Sequence, residues 1–168
     1  MKKRFCIFIA LIFTTLGFVS CFEKQDETVI SREFQGEIWN RFDYLEALFS
    51  VVKAPITADL VMDLEVSDVF PNIYQYGDEE GVFEILMSID SPDGSSRTRN
   101  YKFRLKDKDG NFKSENKDGY YHFELPLISG ISFNEKGEYA FMIESKYSKN
   151  PLYGVKSLRI KCINVKGK

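Results

Sequence analysis

Apolar side chains recur at every second position through most of this chain, the spacing that sends neighbouring residues to opposite faces of a β-sheet. Tyr101, Phe103 and Leu105 alternate with Lys102, Arg104 and Lys106, which predicts a strand with one apolar and one charged face. Leu60, Met62, Leu64 and Val66 alternate in the same way with Asp59, Val61, Asp63 and Glu65, as do Tyr121, Phe123 and Leu125 with Tyr120, His122 and Glu124. Two further inward sets are Tyr139, Phe141 and Ile143, then Leu158, Ile160 and Cys162. Phe83, Ile85, Met87 and Ile89 alternate too, although Val82 and Leu86 between them predict cover on both faces. Leu45, Leu48 and Val52 also satisfy helical spacing, but Phe49, Val51 and the following Pro55 tip Tyr44 to Val52 toward a strand.

Turn chemistry separates these segments. Asp78-Glu79-Glu80-Gly81, Ser91-Pro92-Asp93-Gly94, Asp107-Lys108-Asp109-Gly110, Lys117-Asp118-Gly119 and Glu135-Lys136-Gly137 each place Gly or Asp where a tight reversal needs positive φ. Seven or so short strands with no long helical pattern predict an all-β chain, a single β-sandwich of immunoglobulin-like or jelly-roll-like form.

The first twenty residues follow a different pattern. Lys2, Lys3 and Arg4 precede an apolar run from Phe5 to Phe13 that continues weakly to Val19, the layout of an export leader. An ordinary leader ends with small residues at its last and third-last positions, and here the third-last is Phe18. Phe18-Val19-Ser20-Cys21 instead fits a bacterial lipoprotein box, in which the cysteine thiol receives diacylglycerol before cleavage. A retained span over Phe5 to Phe22 and simple secretion are the competing readings. Two or three acyl chains on Cys21 would hold the protein at a membrane durably, where one chain binds marginally. The expected organisation is a leader over 1–20, a polar tether over 21–37, a β-sandwich over 38–165 and a tail over 166–168. Lys24, Asp26 and Glu27 loosely resemble a surface-export signal of Bacteroidetes lipoproteins, beside the simpler reading of a solvated linker.

Loss of the leader removes three basic and no acidic residues, so 20 basic groups face 25 acidic ones, a net charge of about −5 that argues against a nucleic-acid partner. Of the three cysteines, Cys6 leaves with the leader and Cys21 carries the lipid. Cys162 is then alone in an apolar strand pattern, where a buried thiol is expected.

Signals of chemistry are sparse. His122 is the one histidine and falls on a polar strand face near Glu124, which leaves a single candidate base and little with which to build a zinc site. Asp107, Asp109 and Glu115 could supply hard oxygen ligands, but Gly110 directly after Asp109 departs from calcium-loop spacing and fits a hairpin turn. No catalytic residue, metal site or cofactor is expected. Trp39, Tyr74, Tyr76 and Tyr120 could stack on a sugar or a partner protein if they share one surface; otherwise they belong to the core.

Ser91-Pro92-Asp93-Gly94 and the run from Tyr101 to Phe112, with Phe133, Gly137, Tyr139 and Phe141, then Leu152-Tyr153-Gly154-Val155 and Leu158-Arg159-Ile160, resemble the gliding motility lipoprotein GldH family of Bacteroidetes. Trp39 also fits. The resemblance spans most of residues 37–163. It implies a non-enzymatic lipoprotein of the cell envelope, anchored to the outer membrane through Cys21, which supports gliding or type IX secretion with envelope protein partners. A surface lipoprotein that binds carbohydrate or protein is the alternative, and an envelope hydrolase built on His122 is the third.

Overall fold

The computed structural model describes residues 27–71 and 81–167. The leader, Cys21, Lys24, Asp26, Tyr74, Tyr76 and the turn at 78–80 lie outside the described residues. The strands are β1 (Glu27–Glu33), β2 (Ile38–Trp39), β3 (Leu45–Val51), β4 (Ile56–Val66), β5 (Val82–Asp90), β6 (Ser96–Arg104), β7 (Asn116–Lys117), β8 (Tyr120–Phe133), β9 (Gly137–Ser145), β10 (Leu152–Tyr153) and β11 (Val155–Gly167). They form a five-stranded sheet ordered β1-β11-β4-β8-β7, a four-stranded sheet ordered β3-β9-β5-β6 and the small pair β10-β2, antiparallel throughout. When the eight long strands are numbered along the chain, the two main sheets read 1-8-3-6 and 2-7-4-5. That order is the double Greek key of a jelly roll, one of the two sandwich forms expected.

The inward positions predicted from alternation meet between the sheets. Leu60, Met62, Leu64 and Val66 from one sheet and Phe83, Ile85, Met87 and Ile89 from the other are buried, as are Leu158, Ile160 and Cys162 opposite Tyr139, Phe141 and Ile143. Rings close the two ends of this core. Trp39, fully buried, packs on Phe34 and Phe83, and Phe49 packs on Phe133 and Phe141. The Trp39 indole also donates to the Asp43 carbonyl at 2.8 Å, so its one polar atom is satisfied inside.

The structure corrects the expected tether. Residues 27–33 form β1, which pairs with β11, and Val29 and Ile30 are both buried. An irregularity between Thr28 and Ile30 turns two successive side chains inward, which breaks the alternation and hides the strand from a period-two reading. The expected tail is likewise sheet: Lys166 and Gly167 pair with Thr57 and Ile56. Lys106, expected on the charged face, is only 2% exposed. It lies beyond the end of β6, where its ammonium donates to the Phe70 carbonyl at 2.9 Å and sits 4.1 Å from the centroid of the Phe112 ring. Val61, expected outward, is covered too, beside Lys161 and Pro126 on the neighbouring strands.

Tyr44 to Val52 resolves as the strand β3, with Leu45, Phe49 and Val51 buried and Leu48 exposed. Gly154 follows β10 at φ +76°, and a Cβ there would stand 2.4 Å from the Phe70 nitrogen. Only glycine lets these two backbones approach so closely.

Candidate functional site

Register assembles a polar array on the outer face of the five-stranded sheet. One row across the strands is Glu33, Ser157, Glu65 and His122; the next is Ser31, Arg159, Asp63 and Glu124. The two rows line a shallow groove of about 540 Å³, together with Lys156. Alternation predicted the outward direction of Asp63, Glu65, His122 and Glu124. It could not predict that they would be joined by residues from β1 and β11, far away in sequence.

Glu65 is the centre of the array. Its carboxylate accepts a hydrogen bond from the Ser157 hydroxyl at 2.8 Å, lies 3.4 Å from the Lys156 ammonium and 3.0 Å from His122 Nδ1. Burial pushes its pKa upward, but Ser157, Lys156 and His122 together hold it below the ordinary glutamate value. Glu65 is therefore kept ionised, the wrong direction for a general acid at neutral pH. The acid also stands between the serine and the histidine. In a serine nucleophile relay the histidine occupies that middle position to take the hydroxyl proton, so these three groups do not form one.

A second cluster adjoins it. The Tyr120 hydroxyl donates to Glu37 at 2.8 Å, the Ser67 hydroxyl donates to the other Glu37 oxygen at 2.6 Å, and the Lys156 ammonium lies 3.9 Å from the centroid of the Tyr120 ring. The hydrogen bond to Glu37 raises the Tyr120 pKa. Tyr120 is thus tied into the polar network, and Trp39 is core. The two do not share an aromatic platform, and their suggested companions Tyr74 and Tyr76 lie outside the described residues.

Asp107 caps its own turn: one carboxylate oxygen accepts from the backbone N–H of Asp109 and of Asn111, each at 2.9 Å. These bonds, Asn111 foremost, lower its pKa without any ion. Among the described residues no group of three or more His, Cys, Asp and Glu side chains is placed to hold a metal ion. Cys162 is fully buried, and burial, with some help from Glu27, pushes its thiol up to about 12.

The alternation of β6 (Arg97, Arg99, Tyr101, Phe103) points at a feature sequence reading passed over. Tyr101 is 7% exposed, and its hydroxyl is enclosed, with no well-formed hydrogen bond among the described residues but a looser approach by the Arg99 side chain. Burial raises its pKa while nearby Arg99 opposes that shift, its guanidinium carbon 5.9 Å from the centroid of the Tyr101 ring.

No protein-family model matches the chain, and no curated protein matches it. Among solved structures it is similar to a family GH115 4-O-methyl-α-glucuronidase with specificity for decorated arabinogalactans, at 14% identity and a TM-score of 0.36 over 86% of this chain. It is also similar to an exo-β-1,3-galactanase from Phanerochaete chrysosporium, at 12% identity and a TM-score of 0.33 over 82% of this chain. The chain spans only 16% and 27% of those two proteins, and neither likeness bears on its activity.

Proposed function

We propose that this chain is a non-enzymatic lipoprotein of the bacterial envelope, anchored through Cys21 and resembling GldH, which acts as an accessory or scaffold component of gliding or type IX secretion machinery. The observation that carries the reading is the sequence Phe18-Val19-Ser20-Cys21 at the end of an export leader. The pairing of Glu65 with Ser157, Lys156 and His122 supports it, since these groups satisfy one another instead of converging on a reacting atom. The test is metabolic labelling with a fatty acid, comparing the wild type with Cys21→Ala. Loss of label and release from membranes are expected, whereas retained label would sink the anchor. Deletion of the gene should impair gliding, type IX secretion or the level of an envelope partner, and wild-type behaviour in all three would count against the scaffold role.

A second reading, a surface lipoprotein that captures carbohydrate or protein, is favoured by the groove over the Glu65 and Asp63 rows. Protease shaving of intact cells separates the two, because a domain protected until the envelope is opened cannot capture ligands at the surface.

A further inference from the structure

Each main sheet ends in edge strands, and an edge strand carries a row of N–H and C=O groups that no neighbouring strand uses. Among the described residues, every such edge but one is blunted. β1 is broken by the irregularity between Thr28 and Ile30, and it flanks β3, the edge of the other sheet. β8 is covered by β7 only at Tyr120 and Tyr121, but beyond that it carries Pro126 and its pairing with β4 shifts register. β6 has none of these devices. It runs from Ser96 to Arg104 at the edge of its sheet and pairs with β5, from Val82 with Arg104 to Asp90 with Ser96, without a shift. Residues 96–103 make no backbone hydrogen bond outside that pairing among the described residues.

Charge decides what could pair there. No aspartate or glutamate occurs from Gly94 to Lys106, although acids outnumber bases in the chain as a whole. On one face of β6, Lys102 lies 4.0 Å from Glu84 and the Thr98 hydroxyl stands 2.9 Å from that of Ser88, so these side chains are engaged by β5. Arg97 and Arg99 share the other face, where both are exposed and neither forms an ion pair among the described residues. Asp93 feels Arg97 but is held mainly by Ser95, and Arg99 leans toward Tyr101 with its guanidinium carbon 5.9 Å from the ring centroid. A second copy of the chain would set this row of cations beside its own image with no acid between them. An extended segment with acids at alternate positions would meet the same row with opposite charge.

We propose that the free edge of β6 takes up an extended acidic segment of a partner protein as a further strand of the four-stranded sheet. Backbone bonds along Ser96 to Tyr101 hold the segment, and carboxylates at every second position face Arg97 and Arg99. The proposal rests on the scaffold reading for the existence of a protein partner and names the surface that would hold it. It is separate from the groove beside Glu65 and independent of the anchor.

The probe is the peptide acetyl-VTETET-amide, whose glutamates fall opposite Arg99 and Arg97 in an antiparallel register. It is titrated into the full chain in detergent, with a detergent-only blank, and followed by amide chemical shifts and hydrogen exchange. Shifts and slowed exchange should map to β6, and the peptide should bind at least about fivefold more tightly than its VTQTQT analogue. Two further peptides carry N-methyl groups either on the valine and glutamates or on the threonines, which blocks one edge or the other at constant charge. Strand addition uses a single edge, so one of them should bind and the other should lose at least about tenfold. Arg97→Glu combined with Arg99→Glu should weaken acetyl-VTETET-amide about tenfold, and a VTKTKT peptide should recover the loss. Equal binding by the two methylated peptides, equal affinity for the glutamate and glutamine peptides, shifts confined to other surfaces, no binding up to about 10 mM, or self-association of the chain through β6 without peptide would each overturn the proposal. The titration uses the purified chain, so its failure strikes the edge alone, whereas wild-type behaviour of the deletion strain strikes the scaffold role.

Discussion

Single side chains in this molecule are decided by what surrounds them, and Glu65 and Cys162 show two directions. Glu65 is pulled below its ordinary pKa by Ser157, Lys156 and His122 against the opposing effect of burial. A carboxylate whose folded pKa is depressed contributes stability that is fully present above its unfolded value, about 4.3, and lost as pH falls through the folded one. Unfolding midpoints of the wild type should thus fall on acidification below about pH 4.5, and Glu65→Gln should flatten that limb. An unchanged acid limb in the variant would show that other carboxylates carry it. Cys162 moves the opposite way, up to about 12, and its sulfur is enclosed. Iodoacetamide at pH 8, read by peptide mass mapping, should therefore leave Cys162 unmodified in the folded chain and alkylate it after denaturation.

At the scale of elements, the legible strands are those whose inward and outward positions alternate without interruption. Leu60 to Val66 and Phe83 to Ile89 could be read directly because every second residue is large and apolar. β1 could not be read, because its irregularity buries adjacent Val29 and Ile30 and leaves the rest of the segment looking like linker. Lys106 misled for another reason: a long alkyl stem let it pass inward once its strand had ended, and the Phe70 carbonyl satisfied its charge. The candidate groove was only half legible. Outwardness is a local property, but Ser157 reaches Glu65 across 92 positions of sequence, and only strand order brings them together. β1 supplies the sharpest check. Ile30→Ala should destabilise the fold by about 2–4 kcal/mol in denaturant unfolding, whereas a residue in a solvated tether would change it by less than about 0.5 kcal/mol.

Over the whole molecule, connectivity places the first described strand beside the last and sends each main sheet back and forth through the other. Pairings between residues as distant as Glu27 and Cys162 mean that long loops must close before most of the core is gained. Folding should be correspondingly slow, in the millisecond-to-second range typical of all-β sandwiches. Stopped-flow refolding followed by Trp39 fluorescence checks this, since that ring is fully buried in the folded core. A microsecond relaxation with full amplitude would contradict it. Because one continuous core joins both sheets, equilibrium unfolding should proceed in one transition by fluorescence and circular dichroism alike.

The register of β1 has a geographic consequence. Glu27 stands level with Cys162, Cys162 with Leu60, and Leu60 with Ile128, so one line of paired residues crosses four strands of the sheet from the first described residue. Three strand spacings of about 4.8 Å make that line roughly 14 Å long. Six residue steps separate Cys21 from Glu27, a reach of roughly 20 Å at full stretch. Acyl chains on Cys21, as proposed, would therefore keep the start of β1 within that reach of the bilayer surface.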